Sequence, residues 1–467
     1  MTGLLIRNAE VSGHRGIDVR LVGDRVADVG AGLVRAPGEA VLDGRGGALL
    51  PGLCDHHVHL FALAAAGTSA RCGPPHVRDA AALAGALAGA AGDAHGWVRG
   101  VGYVESVAGD LDAAALDRLH DARPVRIEHR SGALWMVNGP AAARLGLATG
   151  DHPGIERSAD GTPTGRLWRA DGWLRSRLPP PTPPDLGPVG ARLAGLGVTA
   201  VTDATPDLDD GALARFADAV GRGDVPQRVQ LLGAPLGGRD PGPGLTAGPL
   251  KIVLADSGLP DLDSLVDRIR AVHAAERSVA VHCVSREALV LLVAAVRVSG
   301  VRPGDRIEHA SLVPAELLPE LAHSGLRVVT QPGFLADRGD DYLADVPAGD
   351  HLDLYRCHSL LDAGVPVALS SDAPYGPLDP WAVVSAAVHR RTRSGAVAGA
   401  AERVPFAAAL DAYLGPPEDP GGRPRRVVRG AGADLVLLDR PLADMAAAPE
   451  ADAVRTVLIS GSVVADR

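Results

Sequence analysis

Short apolar runs separated by turns fill the first fifty residues, and the same pattern returns near the end of the chain. The N-terminal runs cover residues 4–7, 19–22, 26–29 and 40–42. Runs at 434–439 and 456–464 repeat the pattern, and Ser460-Gly461-Ser462 places a turn inside the second. Such runs are typical of strands in a small β domain. We therefore expect one β-sandwich domain that residues 1–52 and 406–467 build together.

Eight apolar runs in the middle of the chain alternate with helical patterns. This alternation favours an α/β fold made of parallel βαβ units. Eight such units predict a (β/α)8 TIM barrel, with its first strand in residues 53–69 and the remainder in 186–405. The predicted barrel strands are 53–60, 198–203, 228–232, 250–254, 279–283, 306–309, 327–331 and 365–370.

The interval between the first and second predicted barrel strands is much longer than the others. Residues 70–185 fill it with strand patterns of their own, including one at 125–129. The interval ends in the proline-rich segment 179–184, which is typical of a linker. We expect this interval to be an insertion domain that shapes the substrate site.

Composition and charge narrow the class of protein. Of the 467 residues, 46% are hydrophobic and 22% charged, which is typical of a chain with a substantial core. The formal charge of −10 disfavours nucleic acid or an anionic membrane as the main partner. The sequence contains no recognisable signal peptide or bilayer-spanning run, and its four cysteines form no CxxC pair. We expect a cytoplasmic protein with reduced thiols and a small-molecule substrate, and a homodimer is left open.

Histidines and one aspartate stand at the ends of predicted barrel strands. His57 and His59 are two residues apart on the first strand, so their side chains share a face and can bind one metal ion together. His282, His309 and Asp372 close the fifth, sixth and eighth strands. The carboxyl ends of barrel strands meet at one mouth, where active sites of this fold lie. Each residue alone also fits a structural role, as a buried imidazole or a helix N-cap, but their coincidence favours a metal site.

The chain contains a single lysine, Lys251, among its 46 lysine and arginine residues. It lies in the fourth predicted strand, within the apolar run 249–253, where an unpaired charge would be costly. A buried lysine can become a neutral amine and react with carbon dioxide to form a carbamate, whereas arginine stays protonated. Such a carbamate is suited to bridging two cations. The alternative, a lysine whose stem extends to the rim and keeps its charge in water, stays equally open.

Several motifs, in this order, resemble the metal-dependent amidohydrolase superfamily. Within it they are most similar to the family 3 branch that contains N-substituted formamide deformylases. The similarity extends over nearly the whole chain. The motifs are PGLCDHHVH at 51–59, GWVRGVGY at 96–103, RSG at 130–132, GTPTG at 161–165, Lys251, His282, RIEHA at 306–310, SDAP at 371–374 and ADLVLLD at 433–439.

The resemblance implies a hydrolase of carbon–nitrogen bonds with a binuclear metal centre. The implied ligands are His57, His59 and Asp372 for the first ion, His282 and His309 for the second, and N6-carboxylated Lys251 as the bridge. Imidazole and carboxylate-type ligands suit zinc. A hydroxide bridging the two ions would attack the carbonyl carbon of an amide, N-acyl or N-formyl group. Asp372 would then act as the general base.

The substrate-facing motifs differ from those common in this branch. A histidine that commonly follows the segment at 130–132 is Ala133 here, and Arg286 stands where an aspartate usually follows the fifth strand. These differences bear on which substrate the protein accepts more than on the reaction that it catalyses. The residues expected to contact substrate, each of which also fits ordinary packing, are Tyr103, Trp135, Asn138, Trp168, Gln331 and Tyr375.

Two other functions stay open. A mononuclear deaminase or cyclic amide hydrolase of the same superfamily would use the HxH pair, the fifth-strand histidine and the aspartate, without a bridging lysine. A catalytically inactive scaffold would have lost metal ligands, and all six ligand positions are kept here. The number of bound metal ions separates the first alternative from the binuclear hydrolase.

Overall fold

The chain folds into two units. The discontinuous unit combines Met1–Leu60 with Leu186–Arg467, and the inserted unit is Phe61–Asp185. The structure, a computed structural model, describes residues 3–74, 76–179, 184–238, 240–255 and 258–467. Most of the proline-rich segment at 179–184 lies outside these residues. Among the described helices, none is long and apolar enough to cross a membrane.

The first sixty residues contain six described strands. They are β1 (Leu4–Val11), β2 (His14–Val22), β3 (Arg25–Gly30), β4 (Ala40–Asp43), β5 (Leu49–Pro51) and β6 (Leu53–Val58). The first four form one sheet in the order β3-β2-β1-β4, in which β1 pairs antiparallel with β2 and parallel with β4. Ile6, Val19 and Leu21 point from this sheet into a buried core. The last two strands belong to other sheets.

A six-stranded sheet, in the order β11-β12-β10-β9-β8-β7, organises the chain after β6. The elements of this stretch are α1 (Leu60–Gly67), β7 (Ala70–Arg71), α2 (Ala80–Gly89), β8 (Val98–Tyr103), α3 (Glu105–Ala108), α4 (Ala113–Leu119), β9 (Val125–His129), β10 (Leu134–Val137), α5 (Gly139–Leu145), β11 (Ile155–Arg157), β12 (Pro163–Trp168) and α6 (Asp171–Arg177). Side chains of β10 alternate between two cores. Leu134 and Met136 pack with α2 and α4, whereas Trp135 and Val137 pack with α5 and α6.

Strands alternate with helices in the next part of the chain. These elements are α7 (Gly187–Gly195), β13 (Val198–Asp203), α8 (Asp210–Gly221), β14 (Arg228–Leu231), β15 (Leu245–Ala247), β16 (Leu250–Val253), α9 (Leu262–Ala274), β17 (Val279–Cys283), α10 (Arg286–Ser299), β18 (Arg306–His309), α11 (Leu318–Ser324), β19 (Arg327–Thr330), α12 (Gly333–Asp345), α13 (His358–Asp362), β20 (Val367–Leu369), α14 (Pro380–His389) and α15 (Phe406–Asp411). Together with β6 they form two sheets, β15-β14-β13-β6 and β16-β17-β18-β19-β20. All neighbouring strands in both sheets are parallel.

The parallel sheets confirm the predicted α/β fold. Each of the eight predicted strands is present, and several end one or two residues earlier than predicted. The short strand β15 was missed. Only three residues long and close to Gly244 and Gly248, it carries too little apolar pattern to stand out from a turn.

Backbone hydrogen bonds connect the two parallel sheets at two places. On one side, Lys251 N donates to Leu232 O at 3.0 Å. On the other, Asp372 N donates to His57 O at 2.8 Å. Three candidate metal ligands are therefore held in place by their own backbones where the two sheets meet.

Alternation along the parallel strands decides which side chains face the site. In β17, Cys283 packs into the core shared with α9 and α10, as expected. Ala280, on the opposite face of the strand, packs against Ala204 and Leu232 from the other sheet. His282 shares the face of Ala280 and is thereby directed away from the helices.

The end of the chain returns to strand β5. After α15 come β21 (Leu435–Leu438), α16 (Leu442–Ala447), β22 (Val454–Ile459) and β23 (Ser462–Asp466), and the sheet order is β23-β22-β21-β5. Leu435 and Leu458 of this sheet share one core with Ile6 and Leu21 of the N-terminal sheet. Both ends of the chain therefore contribute to the same buried core. Short 3-10 helices lie at Leu147–Thr149, Ala315–Leu317, Ala348–Asp353, Ala400–Glu402 and Ala451–Ala453.

Candidate metal centre

Three side chains at the carboxyl ends of β6 and β20 converge on one point. Asp372 Oδ1 lies 3.3 Å from His59 Nε2 and 3.6 Å from His57 Nε2. One potential ligand atom from each residue lies within 4.8 Å of the other two. Atoms bound to zinc at about 2.0–2.2 Å have separations in this range. The three residues can therefore hold one ion.

The backbone and carboxylate of Asp372 are both unusual. Its φ is 53°, in the left-handed region that few non-glycine residues occupy. Its Oδ1 is buried and accepts no hydrogen bond from any described residue. Buried polar atoms nearly always have a partner, so this oxygen is the atom that a metal ion would satisfy.

A tight turn at the end of β18 brings a third histidine to the same place. Ala310 N donates to Glu308 O at 3.1 Å around His309, whose φ is 73°, which makes a γ-turn. Strict alternation would put Glu308 and His309 on opposite faces of the strand. The turn instead lets both contact His57, whose ring centroid lies 4.8 Å from that of His309. The His282 ring lies 4.6 Å from His309 on the other side.

Lys251 completes this cluster from β16. Its side chain is only 4% exposed, and its Nζ lies 3.4 Å from His57 Nε2. Burial lowers the pKa of Lys251, although the carboxylates of Glu308 and Asp372 oppose the effect. The side chain does not extend to water, so the interpretation as a lysine on the rim is wrong.

Burial also decides the charge of the histidines in the cluster. It lowers the pKa of His57 and of His309 well below the usual value. Lys251 lowers the pKa of His57 further, and His282 lowers the pKa of His309 further. Both imidazoles are therefore neutral near pH 7. The neutral form has the free lone pair that a metal ligand requires.

A buried carboxylate orients His57, the first of these candidate ligands. Glu308 Oε2 pairs with His57 Nδ1, and Glu308 Oε1 accepts a hydrogen bond from Arg306 Nε at 2.6 Å. All three side chains are fully buried. Metal-binding histidines commonly donate their second ring nitrogen to a carboxylate in this way.

A second carboxylate connects β6 to the segment that follows β20. Asp55 accepts hydrogen bonds from Ser371 N at 3.1 Å and from the Ser371 hydroxyl. Burial raises the pKa of Asp55 to about 6, and the bonds from Ser371 oppose the increase. Because Ser371 precedes Asp372, this contact fixes the position of the candidate general base.

Two residues expected to face the substrate lie beside the cluster. Gln331 is fully buried, and its Oε1 lies 2.9 Å from His309 Nδ1 while its Nε2 donates to Ser370 Oγ at 2.9 Å. It therefore orients a histidine, and substrate contact by Gln331 stays a prediction. The Tyr375 ring stands edge-on to His59, with centroids 5.5 Å apart. Tyr375 is partly exposed and can line the space next to His59.

The other four expected substrate residues belong to the inserted unit. Tyr103 is fully buried and donates its hydroxyl hydrogen to Gly109 O. Trp135 is 6% exposed and donates Nε1–H to Asp171 at 2.8 Å. Trp168 is 42% exposed and donates Nε1–H to Glu156 at 2.9 Å. Packing accounts for the side chains of Tyr103 and Trp135. Substrate contact by any of the three aromatic residues stays a prediction.

Asn138 holds three segments of the inserted unit together. Its Oδ1 accepts from Val125 N at 2.9 Å and from Ala141 N at 3.1 Å, the latter as the N-cap of α5. Its Nδ2 donates to His120 O at 2.9 Å and to Arg123 O at 2.8 Å. All donor and acceptor positions of this fully buried amide are used in structural hydrogen bonds.

We expect Asn138→Ala to lower the free energy of unfolding of the inserted unit by about 2–3 kcal/mol, because four buried backbone groups lose their partner. Asp79→Ala, which removes an exposed cap from α2, should cost only about 1 kcal/mol. Urea unfolding followed by tryptophan fluorescence measures both, since four of the five tryptophans lie in this unit. An unchanged unfolding midpoint with a raised KM would instead indicate a substrate contact.

Sequence reasoning missed the residues that support the candidate metal ligands. Arg306, Glu308 and Asp55 were noted only as parts of motifs, at 306–310 and 51–59. A signal was present, because charged residues inside apolar strands must be paired when buried. That reasoning was applied to Lys251, and it applies equally to these three positions.

Comparisons with known proteins agree on a family. A model of the amidohydrolase family matches residues 40–465. An N-substituted formamide deformylase from Arthrobacter pascens is 27% identical over 536 aligned positions, which cover 96% of this chain and 95% of the relative. The relative and this chain are thus similar along their whole lengths.

Two solved structures support the same fold. An uncharacterized metal-dependent hydrolase from Pyrococcus horikoshii has a TM-score of 0.73 at 19% identity, covering 94% of this chain and 98% of that chain. A mutant atrazine chlorohydrolase from Arthrobacter aurescens, complexed with zinc and atraton, has a TM-score of 0.56 at 14% identity, covering 99% and 95%. With the family match, the chain belongs to the amidohydrolase family and is a metal-dependent hydrolase of carbon–nitrogen bonds other than peptide bonds.

Proposed function

We propose that this protein hydrolyses a small N-acyl or N-formyl amide with two divalent metal ions, which we expect to be zinc. The observation that carries the proposal is the cluster of His57, His59 and Asp372 beside Lys251, whose Nζ lies 3.4 Å from His57 Nε2. The formamide deformylase relative supports this substrate class. The zinc in the chlorohydrolase complex supports the choice of metal.

The donor set fits divalent ions. Asp372 Oδ1 is buried without a hydrogen bond from described residues, and the neutral histidines present free lone pairs. The lowered pKa of Lys251 favours the neutral amine that forms a carbamate. The residues that would hold the ions are His57, His59 and Asp372 for the first, His282 and His309 for the second, and N6-carboxylated Lys251 between them.

The chain's own residues can move the proton that the reaction requires. Bound divalent ions would supply a low-pKa water and polarise the amide carbonyl. Asp372 would accept a proton from the attacking water and pass it to the leaving nitrogen. Its backbone bond to His57 O and the Asp55–Ser371 contact hold the carboxylate at this position. Tyr375 would line the substrate space beside His59.

We also infer that the two parallel sheets close into a (β/α)8 barrel and that the two terminal sheets pack as a β-sandwich. Two backbone hydrogen bonds between the sheets and the packing of Ala204, Leu232 and Ala280 support the first inference. The shared terminal core supports the second. The corresponding segments are 1–52 and 406–467 for the sandwich, 53–69 and 186–405 for the barrel, and 70–185 for a substrate-shaping insertion.

Metal analysis combined with a substrate panel tests the proposed function. We expect two zinc ions per chain, turnover of N-formyl or N-acetyl amines, loss of turnover after chelation and recovery with zinc. His59→Ala should lose metal and turnover, whereas His273→Gln, which changes a partly buried histidine paired with Asp305, should keep both. One ion per chain with turnover of cyclic amides or amino-substituted rings would favour the mononuclear alternative. Two ions without turnover of any amide would contradict the proposal.

A further inference from the structure

A row of three buried side chains leads from the start of β18 to the first metal-ligand histidine. Arg306 and Glu308 are two residues apart on β18 and share a face, and His57 lies on β6. Arg306 Nε donates to Glu308 Oε1 at 2.6 Å, and Glu308 Oε2 pairs with His57 Nδ1. None of the three is exposed to solvent. Water therefore does not compete for these hydrogen bonds.

The chemistry of the row allows one arrangement of protons. A guanidinium only donates hydrogen bonds, and an ionised carboxylate only accepts them. Glu308 must therefore receive a hydrogen from His57 Nδ1. In a neutral imidazole, this leaves Nε2 without a hydrogen. Nε2 is the atom that faces Lys251 Nζ at 3.4 Å and Asp372 Oδ1 at 3.6 Å.

We propose that Arg306, acting through Glu308, fixes the tautomer of His57 so that Nε2 is free to bind the first metal ion. The inference rests on the proposed metal site and adds two positioning residues to it. Glu308 is the direct partner of His57. Arg306 occupies Glu308 Oε1, so that Oε2 is the oxygen that accepts the hydrogen of His57. The row determines which ring nitrogen of His57 carries the hydrogen in the metal-free protein.

If Arg306 orients the side chain at position 308, Glu308→Gln should change the tautomer of His57. Loss of the carboxylate charge alone does not predict that change. In Glu308→Gln, the amide oxygen must face Arg306, because the guanidinium can only donate. The amide NH2 then faces His57 Nδ1 and makes that nitrogen an acceptor. The hydrogen of His57 moves to Nε2, where it blocks metal binding. The substitution is nearly isosteric, so its effect comes from the tautomer and not from a cavity.

Removing the arginine as well should reverse part of this effect. In the double variant Arg306→Met/Glu308→Gln, nothing dictates the orientation of the amide, so it can turn its oxygen to His57 Nδ1–H. Replacing both members of a buried ion pair by neutral side chains of similar size is often tolerated in stability. We therefore expect the double variant to bind metal better than Glu308→Gln alone.

Nitrogen NMR of selectively histidine-labelled, metal-free protein reads the tautomer directly, and chelator competition measures zinc affinity. In the unsubstituted protein, His57 should carry its hydrogen on Nδ1, and in Glu308→Gln on Nε2. Zinc affinity should fall about 10- to 100-fold in Glu308→Gln and recover at least tenfold in the double variant. Glu402→Gln, which alters a buried carboxylate bonded to Arg356 and Ser359, should change neither reading.

Three results would overturn the inference. They are a hydrogen on His57 Nε2 in the unsubstituted metal-free protein, an unchanged tautomer in Glu308→Gln, and a double variant that binds zinc no better than Glu308→Gln. The first requires no substitution and so does not depend on whether a variant folds. The tautomer is measured without metal or substrate, whereas the substrate panel measures hydrolase activity. A failure of the inference about His57 is therefore distinguishable from a failure of the proposed function.

Discussion

Replacing Lys251 by arginine is expected to remove one or both metal ions and to lower kcat/KM about 10³-fold or more, which corresponds to about 4 kcal/mol. Arginine keeps the positive charge but cannot become the neutral amine that reacts with carbon dioxide. Its charge would remain next to His57 Nε2, in a site with only 4% exposure, and would repel a cation. Metal analysis of purified protein and steady-state kinetics on the best amide of the panel measure both effects.

A matched exchange and a reconstitution experiment sharpen this prediction. Arg277→Lys makes the reverse change at a partly buried arginine that donates to backbone carbonyls of Gly248 and Ala234 near the same strands. It should lower stability and leave the metal content unchanged. Metal-free protein given zinc without carbon dioxide should stay inactive until bicarbonate is added. A Lys251→Arg protein that binds two ions and turns over normally would contradict the carbamate bridge.

Asp372→Asn should leave the metal ions largely bound and lower kcat about 10²- to 10⁴-fold. The amide oxygen can still act as a ligand, but it cannot accept the proton of the attacking water. Asparagine also tolerates the left-handed backbone at this position, where φ is 53°. The loss should therefore reflect missing proton transfer and not a rearranged turn. Metal analysis and single-turnover kinetics separate the two contributions.

Asp305→Asn provides the control for losing a buried carboxylate. Asp305 is fully buried and bonded to His273 and to Val279 N, without a contact to the candidate ligands among its described hydrogen bonds. This variant should be less stable but should retain kcat.

Full turnover by Asp372→Asn would exclude Asp372 as the general base. Loss of metal in that variant would show that its ligand role dominates.

The strands of the parallel sheets were predictable because strands that are buried on both faces consist mostly of apolar residues. The predicted runs at 198–203 and 279–283, for example, coincide with β13 and β17. Strand ends were less predictable, since a strand stops where its hydrogen-bonded neighbour stops. The run at 365–370, for example, is a strand only at Val367–Leu369.

The candidate ligands were predictable where the two-residue period of a strand applies. That period puts His57 with His59 on one face, and His282 on the face opposite Cys283. It fails at His309, because the γ-turn around this residue reverses the direction of its side chain. Gln331 shows a different limit. Its position after β19 gave no sign that its amide would be occupied by His309 and Ser370.

The sequence by itself determined the class of fold, the family and the set of candidate ligands, because strand periodicity, motif order and a single lysine are all local features. Only the tertiary structure decided which groups these residues contact and how deeply they are buried. It placed Lys251 in a buried site with Nζ 3.4 Å from His57 Nε2, left Asp372 Oδ1 without a hydrogen-bond donor among the described residues, and paired Glu308 with both Arg306 and His57. Protonation depends on burial and on partners distant in sequence, and contacts between β6 and β18 span some 250 residues. A pattern read along one strand cannot contain that information.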